Sequence, residues 1–392
     1  MTRSTVHRVG AAVASLTCVA ALAACGGRAA NQPNAGPSAG GGVASRATID
    51  KFLLPPANVN RLNAAPGPVQ TGPITKKDLA LPYEKVFPIP DGPIGNPHKT
   101  YKFCFSQALI RHPWAIAQKE SIMLEAARHP NVKVLYYNTD DDPLKQVQDI
   151  DTCMAQKVDA ILVWPHSVGP LTPEIVKAKK AGFTVIGMER TVATHDYDSW
   201  LYLDYKKATA ALADAVAQRL HDKGIVAETS GAVGSSPQIL RHAGFVDRLQ
   251  QAHPNIKVVT TAPTDYSRAQ GYKVALDFLQ SPKGKHIDAW YVHSGEIAIG
   301  VYKAMQQLHR TNIPIFTIDG SKTDVEMVKE GKFAAVAPWT PLHADIAFRL
   351  AAMKIEGKKI PSSVLLSFPG LITKANADQQ LPRAWGPLET SA

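Results

Sequence analysis

Residues 101–137 read YKFCFSQALIRHPWAIAQKESIMLEAARHPNVKVLYY, and this stretch decides the fold. Residues 101–105 form a short apolar run rich in aromatic and strand-favouring side chains. Pro113 stands where a first helical position tolerates it, and the helical period then runs to about residue 128. Residues 132–137 form a second apolar run. Strand, helix and strand in that order, with no room for a hairpin, describe a parallel pair joined by a crossover.

Working outward, the same unit repeats. Asp142 is a cap and Pro143 an opening residue for a helix to about 157. Residues 160–164 read as a strand, 173–181 as a helix ended by Gly182, and 183–188 as a strand. After a connection come helices over 206–223, 237–252 (opened by Ser236-Pro237), 268–280, 296–308, 323–330 and 343–356. Between and after them lie strand runs at 225–229, 257–262, 289–293, 314–318, 333–337 and 364–368. The strands are nearly continuous apolar runs, as expected when helices cover both faces of a parallel sheet. About 290 residues of this pattern exceed what one core usually holds, so the expected fold class is α/β, with two doubly wound parallel-sheet lobes. Two such lobes create a crevice at the carboxyl ends of their strands.

The N-terminal part differs. Arg3, His7 and Arg8 precede an apolar run from Val9 to Ala24 that is too short to span a bilayer. The order of positive head, apolar middle and small residues reads as a secretory signal over 1–24. Leu22-Ala23-Ala24-Cys25 resembles the lipobox of bacterial lipoproteins, which implies a lipidated Cys25 anchoring the chain to a membrane from outside the cytoplasm. Residues 25–47 read as a lipidated flexible tether. Residues 48–98 are rich in Pro and Gly with scattered apolar residues; they either lie extended along the body or form a disordered linker.

The formal charge of +10 falls to about +8 once Arg3 and Arg8 leave with the leader. Lys and Arg are scattered, without a dense basic tract, so no nucleic-acid partner is expected. Cys104 and Cys153 remain in the body, either as two buried thiols or as a disulfide, since spacing alone does not fix geometry. No CxxC or His/Cys cluster suggests a metal, and no cofactor is expected.

The strand ends carry the chemistry. His112-Pro113-Trp114 follow the first strand, Glu189-Arg190 the fourth, and Arg241 lies early in the helix beyond the 225–229 strand. Tyr266, Ser294-Gly295-Glu296, Asp319-Gly320 and Trp339 follow later strands. Carboxylates accept hydrogen bonds from hydroxyls, and an arginine donates several in one plane. Aromatic rings pack on the C–H face of a sugar ring. Taken singly, Trp114 or Trp339 also suits packing between lobes, and Glu189–Arg190 or Arg241–Asp319 suit structural ion pairs.

From Lys99 to about Lys374 the chain resembles the type I periplasmic sugar-binding family, the ribose- and galactose-binding proteins of ABC importers. The family's Asn-Pro-Phe is matched by His112-Pro113-Trp114, its Asp-Arg by Glu189-Arg190, and its arginine before Gly-Phe by Arg241 ahead of Gly244-Phe245. Its distal aromatic is matched by Tyr266, its Asn-Asp-Glu by Ser294-Gly295-Glu296, its Phe-Asp-Gly by Ile318-Asp319-Gly320, and its hinge glutamine by Trp339. The resemblance implies ligand binding by His112, Trp114, Glu189, Arg190, Arg241, Tyr266, Ser294, Asp319 and Trp339. It also implies three crossings between lobes, near Leu203, Trp339 and Leu365. One lobe would then hold 99–203 plus 340–364, and the other 204–339 plus 365–392. Capture by hinge closure, delivery to ABC permease subunits and a monomeric state are further implications. Glu189, Ser294 and Trp339 depart from the family pattern and point away from ribose itself toward another sugar, a polyol or another polar ring compound.

An enzyme is not expected, because Gly-x-Ser-x-Gly, His-Glu-x-x-His, the P-loop and a dinucleotide fingerprint are all missing from the sequence. A regulator of the lac-repressor type would carry a helix-turn-helix where this chain has a lipobox and tether. A sensory lipoprotein presenting a small polar ligand to a membrane receptor remains the alternative to import.

Overall fold

The computed structural model describes residues 45–63 and 87–386. The expected leader, Cys25 and all but the last residues of the expected tether lie outside the described residues. A helical turn α1 (Arg46–Thr48), capped by the Ser45 hydroxyl, continues into a π-helical turn, Ile49–Leu53. Strand β1 (Asn60–Asn63) follows. Then come β2 (Tyr101–Gln107), α2 (Pro113–Ala126), β3 (Val132–Asn138), α3 (Pro143–Ala155) and β4 (Ala160–Trp164). The first run ends with α4 (Val168–Lys180), β5 (Thr184–Glu189) and β6 (Ser199–Leu203).

The second run holds α5 (Tyr205–Leu220), β7 (Gly224–Thr229), α6 (Ser236–Ala252), β8 (Ile256–Thr260), α7 (Arg268–Gln280) and β9 (Ala289–Val292). It continues through α8 (Gly295–Gln307), β10 (Ile315–Asp319), α9 (Lys322–Lys329) and β11 (Ala335–Pro338). Last are α10 (Ala344–Ile355), β12 (Ser363–Ser367), β13 (Ile372–Thr373) and α11 (Ala377–Gln380).

The strands form two sheets, ordered β1-β12-β6-β5-β4-β2-β3 and β13-β11-β10-β9-β7-β8. Every pairing is parallel except β13 against β11. In both sheets the second strand of the run lies outside the first, and the order then turns back. The switch points fall between β2 and β4 and between β7 and β9, where open α/β sheets bind ligands. The chain passes between sheets after Leu203, Pro338 and Ser367.

The local signals act as chemistry requires. Pro113 fills the first helical position of α2, and the His112 Nδ1 caps it by accepting from the Ala115 N–H at 3.3 Å. Asp142 accepts from Leu144 and Lys145 at the start of α3. Strands β4 and β10 are buried at every position, as continuous apolar runs require. Cys104 and Cys153, both buried, are joined by a disulfide between β2 and α3, with Cα atoms 6.0 Å apart.

Several expectations are corrected. Helix α4 starts at Val168 rather than Pro173, which sits inside it. Residues 199–203, read as a connection, are strand β6, buried throughout. The final crossing follows Ser367 rather than Leu365, because β12 pairs with β6 along its length. The 48–98 segment is not simply extended: its start is helical, with Ile49 and Leu53 buried, and Asn60–Asn63 adds a strand to the first sheet beside β12. The boundary between tether and segment therefore falls inside one continuous helical stretch.

Candidate functional site

A cavity of about 480 Å³, partly open to solvent, lies between the two sheets at the carboxyl ends of their strands. The first lobe contributes His112, Trp114, Glu189 and Arg190 to its wall, and the second Arg241, Tyr266, Ser294 and Asp319. Eight of the nine sequence candidates thus meet around one space.

The first-lobe wall is built on the ends of β4 and β5. Trp164 closes β4 and donates its indole N–H to Glu189 Oε2; the Tyr205 hydroxyl donates to Glu189 Oε1. Glu189 sits at φ 58°, a left-handed backbone that turns the chain sharply and brings Arg190 beside it. The Arg190 guanidinium lies 4.4 Å from the Trp164 ring centre, donates to the His166 carbonyl at 3.0 Å, and places Nε 3.8 Å from Glu189 Oε2. It is almost fully buried, so ring and carboxylate substitute for lost water.

The second-lobe wall answers it. Arg241, one helical turn into α6, donates to the His293 carbonyl and reaches Asp319 Oδ1 with Nη2 at 3.5 Å. Its guanidinium lies 4.4 Å from the Tyr205 ring centre. The Tyr266 ring lies close to both arginines, its centre 5.6 Å from Arg190 and 5.8 Å from Arg241. Asp319 also accepts from the Gly295 N–H at 3.3 Å, and burial pushes its carboxyl up to about 6 against the pull of Arg241.

Two more carboxyls flank Asp319. Asp324 forms a capping box with Ser321, accepting from the Ser321 N–H at 2.8 Å, and burial together with Asp319 pushes its carboxyl well up. Glu296 pairs with Arg268 at 3.0 Å. Burial, then the positive charge of Arg190, pushes the His112 imidazole down to about 3, so the ring is neutral. Arg190 Nε, Arg241 Nε and Asp324 Oδ1 are buried without a protein hydrogen-bond partner. Two guanidinium groups facing Glu189 and Asp319, with a neutral imidazole and an Asp324 carboxyl that burial shifts toward its neutral form, give a wall rich in donors and acceptors but close to charge balance. Among the described residues no group of three His, Cys, Asp or Glu side chains is placed to hold a metal ion.

Trp339 is the exception among the candidates. It follows β11, but its backbone N–H donates to the Asp319 carbonyl at 2.8 Å and its ring packs on Tyr205 and Phe368, with centres 5.8 and 6.0 Å apart. It supports Tyr205 from behind and does not line the cavity. The wall also contains Glu296, from the Ser294-Gly295-Glu296 turn, and Trp164, Pro237, Ser321, Asp324 and Trp385, which are not among the candidates. Trp164 was detectable as the last residue of a predicted strand; Trp385 follows no predicted strand at all.

A model described as the periplasmic binding protein domain matches residues 103–359. The chain is 26% identical over 255 residues to a xylitol-binding protein from Mycolicibacterium smegmatis, covering 64% of this chain and 72% of that one. It is 26% identical over 267 residues to a ribose import binding protein from Bacillus subtilis, covering 68% and 85% respectively. Among solved structures, the fructose-binding periplasmic domain of a hybrid two-component system matches with a TM-score of 0.66 at 24% identity, over 72% of this chain and 93% of that one. Matched from the first strand of its β/α repeat to beyond the end of α10, and carrying the same two-lobe α/β fold, the chain belongs to the periplasmic binding protein family.

Proposed function

We propose that this chain captures a small uncharged sugar or polyol in the cleft between its lobes and delivers it to the permease of an ABC importer. The carrying observation is that Arg190 and Arg241, one from each lobe, both come close to the Tyr266 ring, with Glu189 and Asp319 beside them. Hydroxyls both donate and accept, and a ligand rich in them satisfies arginine donors and carboxylate acceptors at once. The Nε atoms of both arginines make no protein hydrogen bond, so donor capacity is left over at this wall. The near balance of charge favours a ligand without net charge, because an ion would be desolvated without a counter-charge. The names of the two relatives, one binding xylitol and one serving ribose import, support the same class and a binding role rather than catalysis.

The reading extends to the chain's place in the cell. The leader pattern and Cys25 support export and a lipid anchor, with the body outside the cytoplasmic membrane; the monomeric state rests on family analogy alone. Replacing Cys25 by Ala is expected to move the protein from the membrane fraction to the soluble fraction.

A thermal-shift screen of the protein lacking residues 1–25 tests the binding claim. A ligand at about 100 times its Kd adds about 2.7 kcal/mol, which moves the transition by several degrees. Stabilisation by a sugar or polyol is the expected result; a response confined to amino acids, nucleosides or organic acids would overturn the ligand class. Uptake of that ligand should fail in a strain lacking the protein. Intact uptake with a lost transcriptional response would transfer the role to sensing.

A further inference from the structure

The chain beyond the matched domain returns to the cleft. After β12 it forms β13 on the outer edge of the second sheet, then α11 and a 3-10 turn, Leu381–Arg383. Ala384 is buried in the second-lobe core, and Trp385, only 4% exposed, follows it.

Trp385 is held at three points. Its carbonyl accepts from the Lys322 N–H at 2.8 Å, its backbone bridges Ser321, and its indole N–H donates to the Asp319 carbonyl at 3.2 Å. Two of these anchors lie on the turn that carries Asp319 and Ser321, both of which line the cavity. The ring itself forms part of the wall, edge-on to Trp114 with centres 5.4 Å apart and planes at 85°. Trp114 belongs to the first lobe and Trp385 to the second, so this aromatic pair spans the cleft.

We infer that Trp385 is a ligand-binding and size-selecting wall of the cleft, supplied by the tail that follows the family domain, and that it confines the site to a single small sugar or polyol. The inference rests on the sugar or polyol reading. A ring held by its indole hydrogen bond, on a backbone that is itself anchored to the same turn, resists swinging aside for a larger ligand, and it offers an apolar face to the C–H surface of a small one. Its contact with Trp114 is made only when the lobes stand close, so it completes the pocket on the closed side of the hinge motion.

Titration calorimetry tests this on the full chain, with ribose, xylitol and myo-inositol as small probes and maltose as the large one. Three variants are compared: Trp385→Phe keeps a ring, Trp385→Leu keeps apolar bulk without a ring, and Trp385→Ala opens the wall. Expected is a loss of about tenfold or more in affinity for the small probe with Leu and Ala, and only a few-fold loss with Phe. The ratio of small-probe to maltose affinity should also fall for Ala, a change that mere loosening of the tail would not produce. If Trp385→Ala does not fold, Leu and Phe still give the comparison. Wild type that binds a small probe with Leu and Phe equal to it overturns the role of Trp385 alone. Wild type that binds none of the probes overturns the ligand class and this inference with it.

Discussion

Arg241 and Asp319 meet at 3.5 Å, Nη2 to Oδ1, at the base of the second-lobe wall. Both are largely buried at the cavity wall, so little water is at hand to replace a lost partner. Truncating one member of such a pair leaves the other buried and unpaired, at a cost of about 2–5 kcal/mol. Arg241→Ala is therefore expected to abolish measurable sugar or polyol binding. Arg241→Lys should also fail, since an ammonium cannot reach the His293 carbonyl, Asp319 and a ligand hydroxyl together as the planar guanidinium does. Calorimetric titration of both variants checks this, with circular dichroism establishing that they fold. Binding at wild-type affinity by either would place the recognition elsewhere.

The same carboxyl makes binding sensitive to pH. Burial raises Asp319 to about 6 in the ligand-free protein. A ligand hydroxyl donating to it favours the ionised form, so binding lowers that value and affinity weakens as the pH falls through about 6. Up to about tenfold loss per pH unit is expected below that point, with a plateau above it. Stability runs the other way. A carboxyl raised from about 3.9 contributes stability that is present at low pH and lost as pH rises through about 6. Affinity measured from pH 5 to 8 should thus fall on the side where this group favours folding. Asp319→Asn should bind weakly and without that slope.

Gly231 is required by the Tyr266 ring. A Cβ there would stand 2.0 Å from the ring's Cζ. Tyr266 cannot easily yield, because its backbone is left-handed at φ 66° and its hydroxyl lies 3.3 Å from Ser235 Oγ. Gly231→Ala should displace the ring from its place beside Arg190 and Arg241, weakening ligand binding by about tenfold and costing about 1–3 kcal/mol of stability. In the Tyr266→Ala background the same substitution should cost little. A double-mutant cycle by urea unfolding reads that coupling, and additive costs would exclude the contact as the cause.

The parts of this site that could be read from sequence share one property: their positions depend on local order. Glu189, Ser294 and Asp319 each follow a predicted strand run directly, and a parallel strand delivers its next residues to the ligand edge. Trp385 depends instead on hydrogen bonding to a turn 66 residues upstream, which no local pattern announces. Trp339 follows its strand as the sequence predicts, but its ring is not among those lining the cavity. Its backbone bond to Asp319 turns the ring toward Tyr205 and Phe368, a choice made by tertiary packing. Strand β1, with the polar sequence Asn-Arg-Leu-Asn, lacks alternation and exists because β12 offers a parallel edge.

The disulfide is a stability device apart from binding. Cys104 and Cys153 are separated by 49 residues, and closing a loop of that length constrains the unfolded chain by about 4 kcal/mol in the chain-entropy model. Neither cysteine lines the cavity. The double variant Cys104→Ala, Cys153→Ala should lose about 2–4 kcal/mol in denaturant unfolding while keeping wild-type ligand affinity at 25 °C. An unchanged midpoint would mean that the unfolded state gains nothing from release of the link.

The segment ahead of the matched domain is expected to behave as part of the body. Leu53 is fully buried, its carbonyl accepts from the Thr191 hydroxyl at 3.4 Å, and the neighbouring Phe52 ring meets His195 at 5.4 Å. Upstream, Arg46 pairs with Asp247 of α6 at 2.7 Å, while β1 downstream joins the first sheet. The segment therefore touches both lobes. The exposed Arg46–Asp247 pair contributes little, because solvent screens it. Leu53 carries the docking through its buried side chain, and Leu53→Ala should cost about 2–4 kcal/mol. The exposed Lys51→Ala, two residues away, should stay within about 0.5 kcal/mol of wild type. Urea unfolding distinguishes the two. Equal, negligible effects would return residues 48–63 to the status of a linker; a cost confined to Leu53 makes them a structural element shared by the two lobes.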